Sequence, residues 1–429
     1  MTVEGVVTCP HCGAGVVGAE GFLSWCRDCG WNADPQPAQR RKQSRMQRWW
    51  RARQNALAVR LAANVHTEND LRRGERAVRI AVWVLAGAIH LMTLSLLAGA
   101  VLIFLSDLWL PIKIVVGGLL VGLFASVQPF YRRRAKREFG LERDAGPELF
   151  ALVDEVAAAI GTTGVQRIVV SSRFNASYSR PRRQPTLEIG LALWVVLTPG
   201  ERLALLGHEM GHRVNNDLRE LLFVNAALIS LFRWLQMLAV PGTPWWRRHV
   251  TASGHSLAGL VILAEMILPI LLFPVTLVIL ALGTGLDVMS QRQGQRAEYY
   301  ADALGARVAG TPAALALEDK LLIAAGCYDE MTRVVKFRRN TNVWSALREY
   351  VATLPDSEWD RLRRNARTRL HRIDVTHPPS ALRIDVLQRL EPHTPQCSVD
   401  DERMGRINAE LNSGAVAAAD QLRANFGVG

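Results

Sequence analysis

The run HEMGH, which ends at His212, combines the side chains of a hydrolytic metal site. On a helix, His208 and His212 share one face, so both imidazoles can bind one Zn²⁺ ion. Glu209 can reach a water on the open position of that metal and take its proton as zinc lowers the pKa of the water. Gly207 and Gly211 each weaken a helix by about 1 kcal/mol relative to alanine. We therefore expect a second segment, or the metal, to approach them closely. The alternative is a surface helix with two chance histidines.

A catalytic zinc site needs a third protein ligand, and a later segment offers one. Glu298 and Asp302 stand four residues apart, on one face of a predicted helix over Gln295–Val308. Glu298 is the candidate zinc ligand. Asp302 is placed to accept the free N–H of a ligating histidine and so to fix its tautomer. Taken alone, such a pair is more often a solvated acidic edge, so the prediction depends on the two-histidine helix.

Four of the six cysteines lie in the first 29 residues, in two C-x2-C pairs with 13 residues between them. A glycine follows each pair, as the tight knuckles of a zinc ribbon require, and four thiolates would close the coordination sphere of a structural zinc. His11 is expected to point away from the metal. The pattern favours a reducing, cytosolic face over a disulfide scaffold. The predicted structural ligands are Cys9, Cys12, Cys26 and Cys29, whereas Cys327 and Cys397 are interpreted as core thiols.

The composition combines apolar and basic residues. Of 429 residues, 49% are hydrophobic, and 51 Lys+Arg against 39 Asp+Glu give a net charge of +12. The basic excess suits an anionic membrane surface or nucleic acid, and the apolar runs favour the membrane. The segment Ile80–Leu105 carries no charge and exceeds the roughly 20 residues that cross a bilayer. Ile114–Phe130 is a second, shorter apolar segment that can cross the bilayer in the opposite direction, and basic residues at 132–137 follow it. This predicts a transmembrane hairpin with both ends in the cytosol.

Two further apolar stretches, 221–240 and 257–286, contain Arg233 and Glu265. They either cross the bilayer or line a cavity at its surface, and crossing is the favoured interpretation. No secretory signal is visible at the start of the chain, so the N-terminus is expected in the cytosol. The predicted domains are a ribbon at 1–32, a basic linker at 33–76, the hairpin at 77–131, a first catalytic part at 132–220, the second apolar pair at 221–286 and a second catalytic part with C-terminal helices at 287–429.

The pattern at 138–220 indicates a mixed α/β region. Strands are predicted at Arg167–Val170 and Thr186–Ile189, separated by a polar loop. A helix should begin at Pro199, with Thr198 as N-cap and Glu201 completing a capping box.

The motifs of the chain, and their order along it, resemble those of the HtpX-type membrane zinc metallopeptidases, relatives of the CAAX prenyl proteases. The resemblance covers roughly residues 78–390, and it departs from the family pattern at the N-terminal ribbon and at Ser177, which intervenes before Tyr178. It rests on Arg167–Ser171 with Asn175-Ala176, Thr186–Gly190, the run from Leu197 through HEMGH to Asn216-Asp217, Glu298 with Asp302, and Thr376-His377-Pro378-Pro379 with Arg383-Ile384.

The resemblance implies a mainly α membrane protein: transmembrane helices plus a zincin-like α+β metallopeptidase domain with a small edge-strand sheet. It implies a zinc endopeptidase at the cytoplasmic face that clears misfolded membrane proteins, with membrane lipid and polypeptides as partners. His377 would either stabilise the tetrahedral oxyanion or only cap a helix. The strand formed by Thr186, Leu187, Glu188 and Ile189 is expected to be the edge that pairs with extended substrate.

Two other classes of function stay open at this stage. In one, the chain is a membrane-anchored sensor or scaffold that binds through its ribbon and keeps an idle protease fold. An intact Glu209 argues against it, because an inactive enzyme has no use for the base. In the other, the basic stretch Arg40–Arg53 binds nucleic acid. This is the less favoured interpretation, since a solvated juxtamembrane helix explains the same charges. The partner of the ribbon is not predicted.

Overall fold

The structure is a computed structural model. It describes residues 5–34, 45–72, 76–129, 139–180, 184–215, 217–238, 257–338, 340–370 and 377–426. Four groups of residues used in the sequence predictions lie outside these ranges: the basic residues at 132–137, Arg40 to Lys42, Asn216 and Thr376.

The chain is mostly helical, as the predicted fold class requires, and the described residues form six short strands. The strands are β1 Gly5–Thr8, β2 Gly15–Gly18, β3 Phe139–Leu141, β4 Arg167–Ser171, β5 Ala176–Ser179 and β6 Thr186–Gly190. The helices are α1 Arg45–Ala63, α2 Glu68–Arg72, α3 Arg76–Leu105, α4 Leu110–Ile112, α5 Gly118–Val127, α6 Pro147–Ala159, α7 Leu191–Trp194, α8 Pro199–Asn215, α9 Asp217–Leu238, α10 Leu257–Ala309, α11 Thr311–Leu321, α12 Ala324–Phe337, α13 Val343–Ala352, α14 Asp356–Arg369, α15 Ser380–Arg389, α16 Asp401–Glu410 and α17 Asn412–Asn425.

The chain divides into two compact units. The first comprises Met1–Arg73, Ala135–Leu218 and Gly294–Gly429, and the second comprises Gly74–Arg134 and Arg219–Gln293.

The first unit is built on a four-stranded sheet in the order β3-β4-β6-β5. The pair β4–β6 is parallel, with Ile168 opposite Leu187, and the outer pairs β3–β4 and β5–β6 are antiparallel. Helix α17 packs on β4, where a Cβ on Gly414 would lie 2.9 Å from the side chain of Val170. A side chain at position 414 would hold the helix away from the sheet, so glycine there permits the close packing.

Helices α6 and α8 complete the core of this unit. In α6, apolar residues recur at the three- and four-residue spacing of one helical face, and all of them are buried. They are Leu149, Phe150, Leu152, Val153, Val156 and Ala157. Helix α8 packs against both α6 and β5 and buries Leu206 and Met210.

The second unit contains the apolar helices. Ala77–Leu105, Leu110–Val127 and Ile270–Ala309 are long and apolar enough to cross a membrane, and Leu222–Leu238 is an apolar helix of shorter length. The two predicted hairpin segments are therefore helical, the second through a π-helical turn at Lys113–Gly117. Many of their apolar side chains face outward, and Leu105 is 77% exposed, as lipid contact would require.

A small core joins α3, α9 and the first part of α10, formed by Val82, Ala86, Ile89, Val224, Ala227, Leu231, Ile279 and Leu286. Arg233 donates to the backbone carbonyl of Gln128, just beyond the C-terminus of α5, so its guanidinium has a hydrogen-bond acceptor in the apolar part of α9.

One element is longer than predicted. The apolar stretch 257–286 and the helix expected at Gln295–Val308 form the single helix α10, 53 residues long. Between them stands no proline, and Gly294 alone is too weak a breaker to end a helix. The helix ends at Ala309, and the next residue, Gly310, has a φ of +86°.

Candidate active site and cysteine cluster

Helix α8 begins with the predicted capping box. The N–H of Thr198 donates to Oε2 of Glu201 at 2.8 Å, and the N–H of Glu201 donates to Oγ1 of Thr198 at 3.3 Å. The helix continues without interruption through His208 and His212. The cap therefore fixes where the histidine-bearing turns begin.

Two glycines let α10 approach α8 at backbone distance. A Cβ on Gly207 would lie 2.9 Å from Cα of Gly305, and one on Gly211 would lie 3.0 Å from Cα of Ala301. The close approach expected at these glycines is thus present, and the approaching segment is α10. It carries Glu298 to the histidines.

Four side chains form a compact group of candidate metal ligands. Nε2 of His208 is 3.2 Å from Nε2 of His212, and the carboxylate oxygens of Glu298 lie 3.6 and 3.7 Å from these two nitrogens. Nε2 of His377 is 3.5 Å from Oε2 of Glu298, and all four ligand atoms lie within 4.8 Å of one another.

These separations fit a zinc ion. Tetrahedral zinc with bonds of about 2.0–2.1 Å holds its ligand atoms about 3.3 Å apart. In addition, Oε2 of Glu298 is buried and accepts no hydrogen bond within the described part of the chain. Buried carboxylate oxygens rarely lack a hydrogen bond, so a cation held by these four side chains would give Oε2 of Glu298 its missing partner.

Asp302 and Arg383 lie directly behind His208. Oδ1 of Asp302 is 2.8 Å from Nδ1 of His208, so Nε2 of His208 is left to face the other candidate metal ligands. Burial lowers the pKa of His208 to about 4, so the imidazole is neutral, as a metal ligand must be. Burial alone would raise the pKa of Asp302, but the guanidinium of Arg383 and the contact with His208 hold it well below its usual value. The sequence singled out Asp302 for this position and gave Arg383 no role.

Glu209 is buried and points toward the sheet. Its Oε2 accepts a hydrogen bond of 2.8 Å from the backbone N–H of Tyr178 in β5. A narrow cavity opens beside Glu209, His208 and His377. Its apolar wall is formed by Leu193, Leu205, Leu317 and Leu321.

The expected edge strand is not at the edge. Thr186, Leu187, Glu188 and Ile189 belong to β6, which pairs with β4 on one side and β5 on the other. Both sides of its backbone are used, so substrate cannot add to it. The prediction of these four residues as a substrate-pairing edge is wrong, and the outer strand beside the histidines is β5. Because Ala176–Ser179 is short and polar, the sequence indicated only a loop there.

The four N-terminal cysteines also converge. Sγ of Cys9 is 3.6 Å from Sγ of Cys29, and Sγ of Cys12 is 3.6 Å from Sγ of Cys26. Zinc with bonds of about 2.3 Å holds sulfurs about 3.8 Å apart in a tetrahedron, so this set fits zinc as well. Gly13 and Gly30 both have φ of +74°, which is the conformation expected after each C-x2-C pair.

The ribbon packs against α14 in the same unit. Nε1 of Trp25 donates to the carbonyl of Ser357 at 2.9 Å, and Arg27 pairs with Asp360 at 2.5 Å. Arg361 and Asn365 both donate to the carbonyl of Ala33, and Arg364 donates to that of Arg27 and stacks near the Trp25 ring. The ribbon thus has a partner within its own chain, which the sequence did not indicate.

Comparisons with known proteins agree with this geometry. Residues 144–391, more than half of the chain, match the model of Peptidase family M48. The chain therefore belongs to this family of metallopeptidases.

The chain is also similar to two proteins named Protease HtpX homolog, one from Pyrobaculum aerophilum and one from Pyrobaculum calidifontis. Each is 27% identical over 254 residues, which cover 57% of this chain and 68% of the relative. No solved structure matches the chain. The resemblance that the motifs predicted is thereby confirmed.

Proposed function

We propose that the chain is a zinc-dependent endopeptidase of the membrane in which His208, His212 and Glu298 hold the metal. The observation that carries the proposal is the cluster itself: two imidazole nitrogens and a carboxylate at tetrahedral separations, with an acid one residue after the first histidine. Zn²⁺ bound there would lower the pKa of a water and polarise the scissile carbonyl.

The residues of the chain divide the remaining work. Glu209 takes the proton of the attacking water and returns it to the leaving amine. Asp302 accepts the Nδ1–H of His208 and so keeps Nε2 of that ring available to the metal. His377, the fourth side chain of the group, is assigned to donate to the tetrahedral oxyanion, because a catalytic zinc keeps its fourth position open for water. The alternative role as a helix cap receives no support, because the N-cap of α15 is Pro379 and no side chain caps it.

An extended peptide is the substrate that suits this site. Strand β5 is one of the two outer strands of the described sheet and the one that contacts Glu209, so a polypeptide can pair with it as an added strand. Backbone pairing gives affinity with little sequence preference. This property, the apolar helices and the resemblance to HtpX-type proteins support cleavage of misfolded membrane proteins.

Cleavage on the cytoplasmic side is the second part of the proposal. It is supported by the basic residues that follow the second span in the sequence and by the four free thiols of the ribbon, which suit a reducing compartment. The ribbon zinc is structural, since four cysteines leave no open position for substrate.

The test is cleavage of casein and of a denatured membrane protein by the purified full-length chain loaded with zinc. Glu209→Gln should lose at least about a hundredfold in rate, the typical contribution of a general base, while it keeps its zinc. Glu402→Gln, the same change at an 88% exposed side chain, is the matched control and should cleave normally. Equal inactivity of all three zinc-loaded proteins would favour a scaffold over an enzyme.

A further inference from the structure

Glu318 is a buried acid to which the proposed reaction gives no task. It lies in α11 and is 1% exposed. Its Oε1 is 2.9 Å from Nη2 of Arg383, which is itself 3% exposed. Burying a carboxyl group costs several kcal/mol unless strong partners compensate, so its position calls for a specific interaction.

Arg383 stands between two carboxyl groups and uses one nitrogen for both. Its Nε donates to Oδ2 of Asp302 at 2.8 Å, and its Nη2 contacts both Oδ1 of Asp302 and Oε1 of Glu318. The guanidinium thus contacts carboxyl oxygens of both Asp302 and Glu318.

Oδ1 of Asp302 contacts two nitrogen atoms. It accepts Nδ1–H of His208 at 2.8 Å and also contacts Nη2 of Arg383. The two donor nitrogens are only 3.2 Å apart, so each limits how closely the other can approach the oxygen. The ion pair with Oε1 of Glu318 restrains Nη2, and without it the guanidinium would be free to shift toward Oδ1 of Asp302 and weaken the bond from His208.

We propose that Glu318 is a positioning residue of the metal centre: through the contact of its Oε1 with Nη2 of Arg383, it restrains the guanidinium and so keeps Oδ1 of Asp302 available to His208. The inference rests on the proposed function in one respect, namely that His208 is a metal ligand. It requires an acceptor oxygen at position 318 and does not require a charge there.

The test measures zinc affinity rather than activity, using competition with a chromophoric chelator on the full-length protein. Wild type should bind two zinc ions. Glu318→Leu should raise the dissociation constant of the histidine site about tenfold, the lower end of the range for partners behind a ligand, and leave the cysteine site unchanged. Glu318→Gln keeps an acceptor oxygen and should stay within about twofold of wild type.

A second apolar variant separates positioning from packing. Glu318→Met comes closer than leucine to the length of the wild-type side chain but has no oxygen, so it should lose zinc affinity to the same extent as Glu318→Leu. Because methionine adapts to irregular space, this protein remains measurable if Glu318→Leu fails to fold.

Two results would overturn the inference: wild-type zinc affinity in folded Glu318→Leu or Glu318→Met, or an equal loss of affinity in Glu318→Gln. A wild type that binds only the cysteine-site zinc would instead refute the proposed catalytic centre itself.

Discussion

The backbone N–H of Tyr178 donates a hydrogen bond of 2.8 Å to Oε2 of Glu209. This bond joins the outer strand of the sheet to the proposed general base. Tyr178 lies opposite Leu187 in the β5–β6 register, but its N–H faces away from β6. A peptide that pairs with β5 would compete for the same N–H, so substrate binding would free the carboxylate of Glu209 to accept a proton.

Tyr178→Pro tests this relationship, since proline lacks the N–H. Proline is tolerated on an edge strand where the N–H does not bond within the sheet, so the protein should fold and keep both zinc ions. We expect peptide cleavage to fall about tenfold, the effect of losing one hydrogen bond of roughly 1.4 kcal/mol.

Tyr178→Phe is the matched control. It keeps the N–H and the ring beneath the Arg213 guanidinium, and it should cleave at the wild-type rate. Full activity in Tyr178→Pro would show that the edge N–H has no part in the reaction.

Gly211→Ala tests the contact that brings the two ligand-bearing helices together. Its Cβ would lie 3.0 Å from the Cα of Ala301, so the backbones must separate by a few tenths of an ångström. Glu298 would move away from the histidines, and the dissociation constant of zinc at this site should rise about tenfold.

Gly200→Ala provides the comparison in the same helix. Its Cβ would meet only Ala313 at 3.5 Å, an ordinary contact, and alanine favours a helix over glycine by about 1 kcal/mol. This variant should gain stability and keep its zinc affinity. Unchanged zinc affinity in Gly211→Ala would mean that the close packing does not position Glu298.

Much of the site could be predicted because its parts follow local rules. The capping box, the four-residue spacing of the histidines and the C-x2-C pairs each depend on residues close together in sequence. Gly207 and Gly211 indicated that another segment or the metal approaches closely, but not that the approaching segment is α10. The order of the strands could not be predicted, because the sequence places β6 last but does not show that β5 folds back to its outer side.

Partners that are distant in the sequence could not be predicted either. Arg383 and Glu318 reach the site from α15 and α11. Arg383 was matched only as part of a motif, without a role, and Glu318 resembles an ordinary surface residue until its burial is known. The ribbon-binding face of α14 is a run of charged residues with no motif. Such pairings depend on how separate elements pack and are not encoded in spacing along the chain.

The ribbon contact leads to a prediction for α14. Trp25→Ala leaves all four cysteines in place, so the protein should still hold two zinc ions. It removes the bond to Ser357 and a side chain that is 4% exposed, so hydrogen exchange across Asp356–Arg369 should accelerate. Cys26→Ser should produce the same acceleration by losing the ribbon zinc. Slow exchange in Trp25→Ala would indicate that α14 does not depend on the ribbon.

Acid should destabilise the zinc-free protein through His208. Its pKa is about 4 in the folded chain against an ordinary value of 6.5, so between these pH values the unfolded chain binds a proton that the folded chain does not. Stability from this group is complete above pH 6.5 and is lost as pH falls toward 4, by up to about 3 kcal/mol.

Burial raises the pKa of Glu318 to about 8, which acts in the opposite direction, because its ordinary value is 4.5. The measurement is therefore the difference in unfolding free energy between wild type and His208→Gln in the presence of a chelator. That difference should change between pH 6.5 and 4 and stay constant above 6.5. A difference independent of pH throughout would show that His208 titrates normally in the folded protein.

The most direct test of the central claim is the number of zinc ions per chain, measured by elemental analysis of the full-length protein. We predict two in wild type, one in His212→Ala and one in Glu298→Ala, with the remaining ion lost on Cys26→Ser. Two ions retained in both single variants, or one ion in wild type, would contradict a metal centre formed by the histidines of α8 and the glutamate of α10.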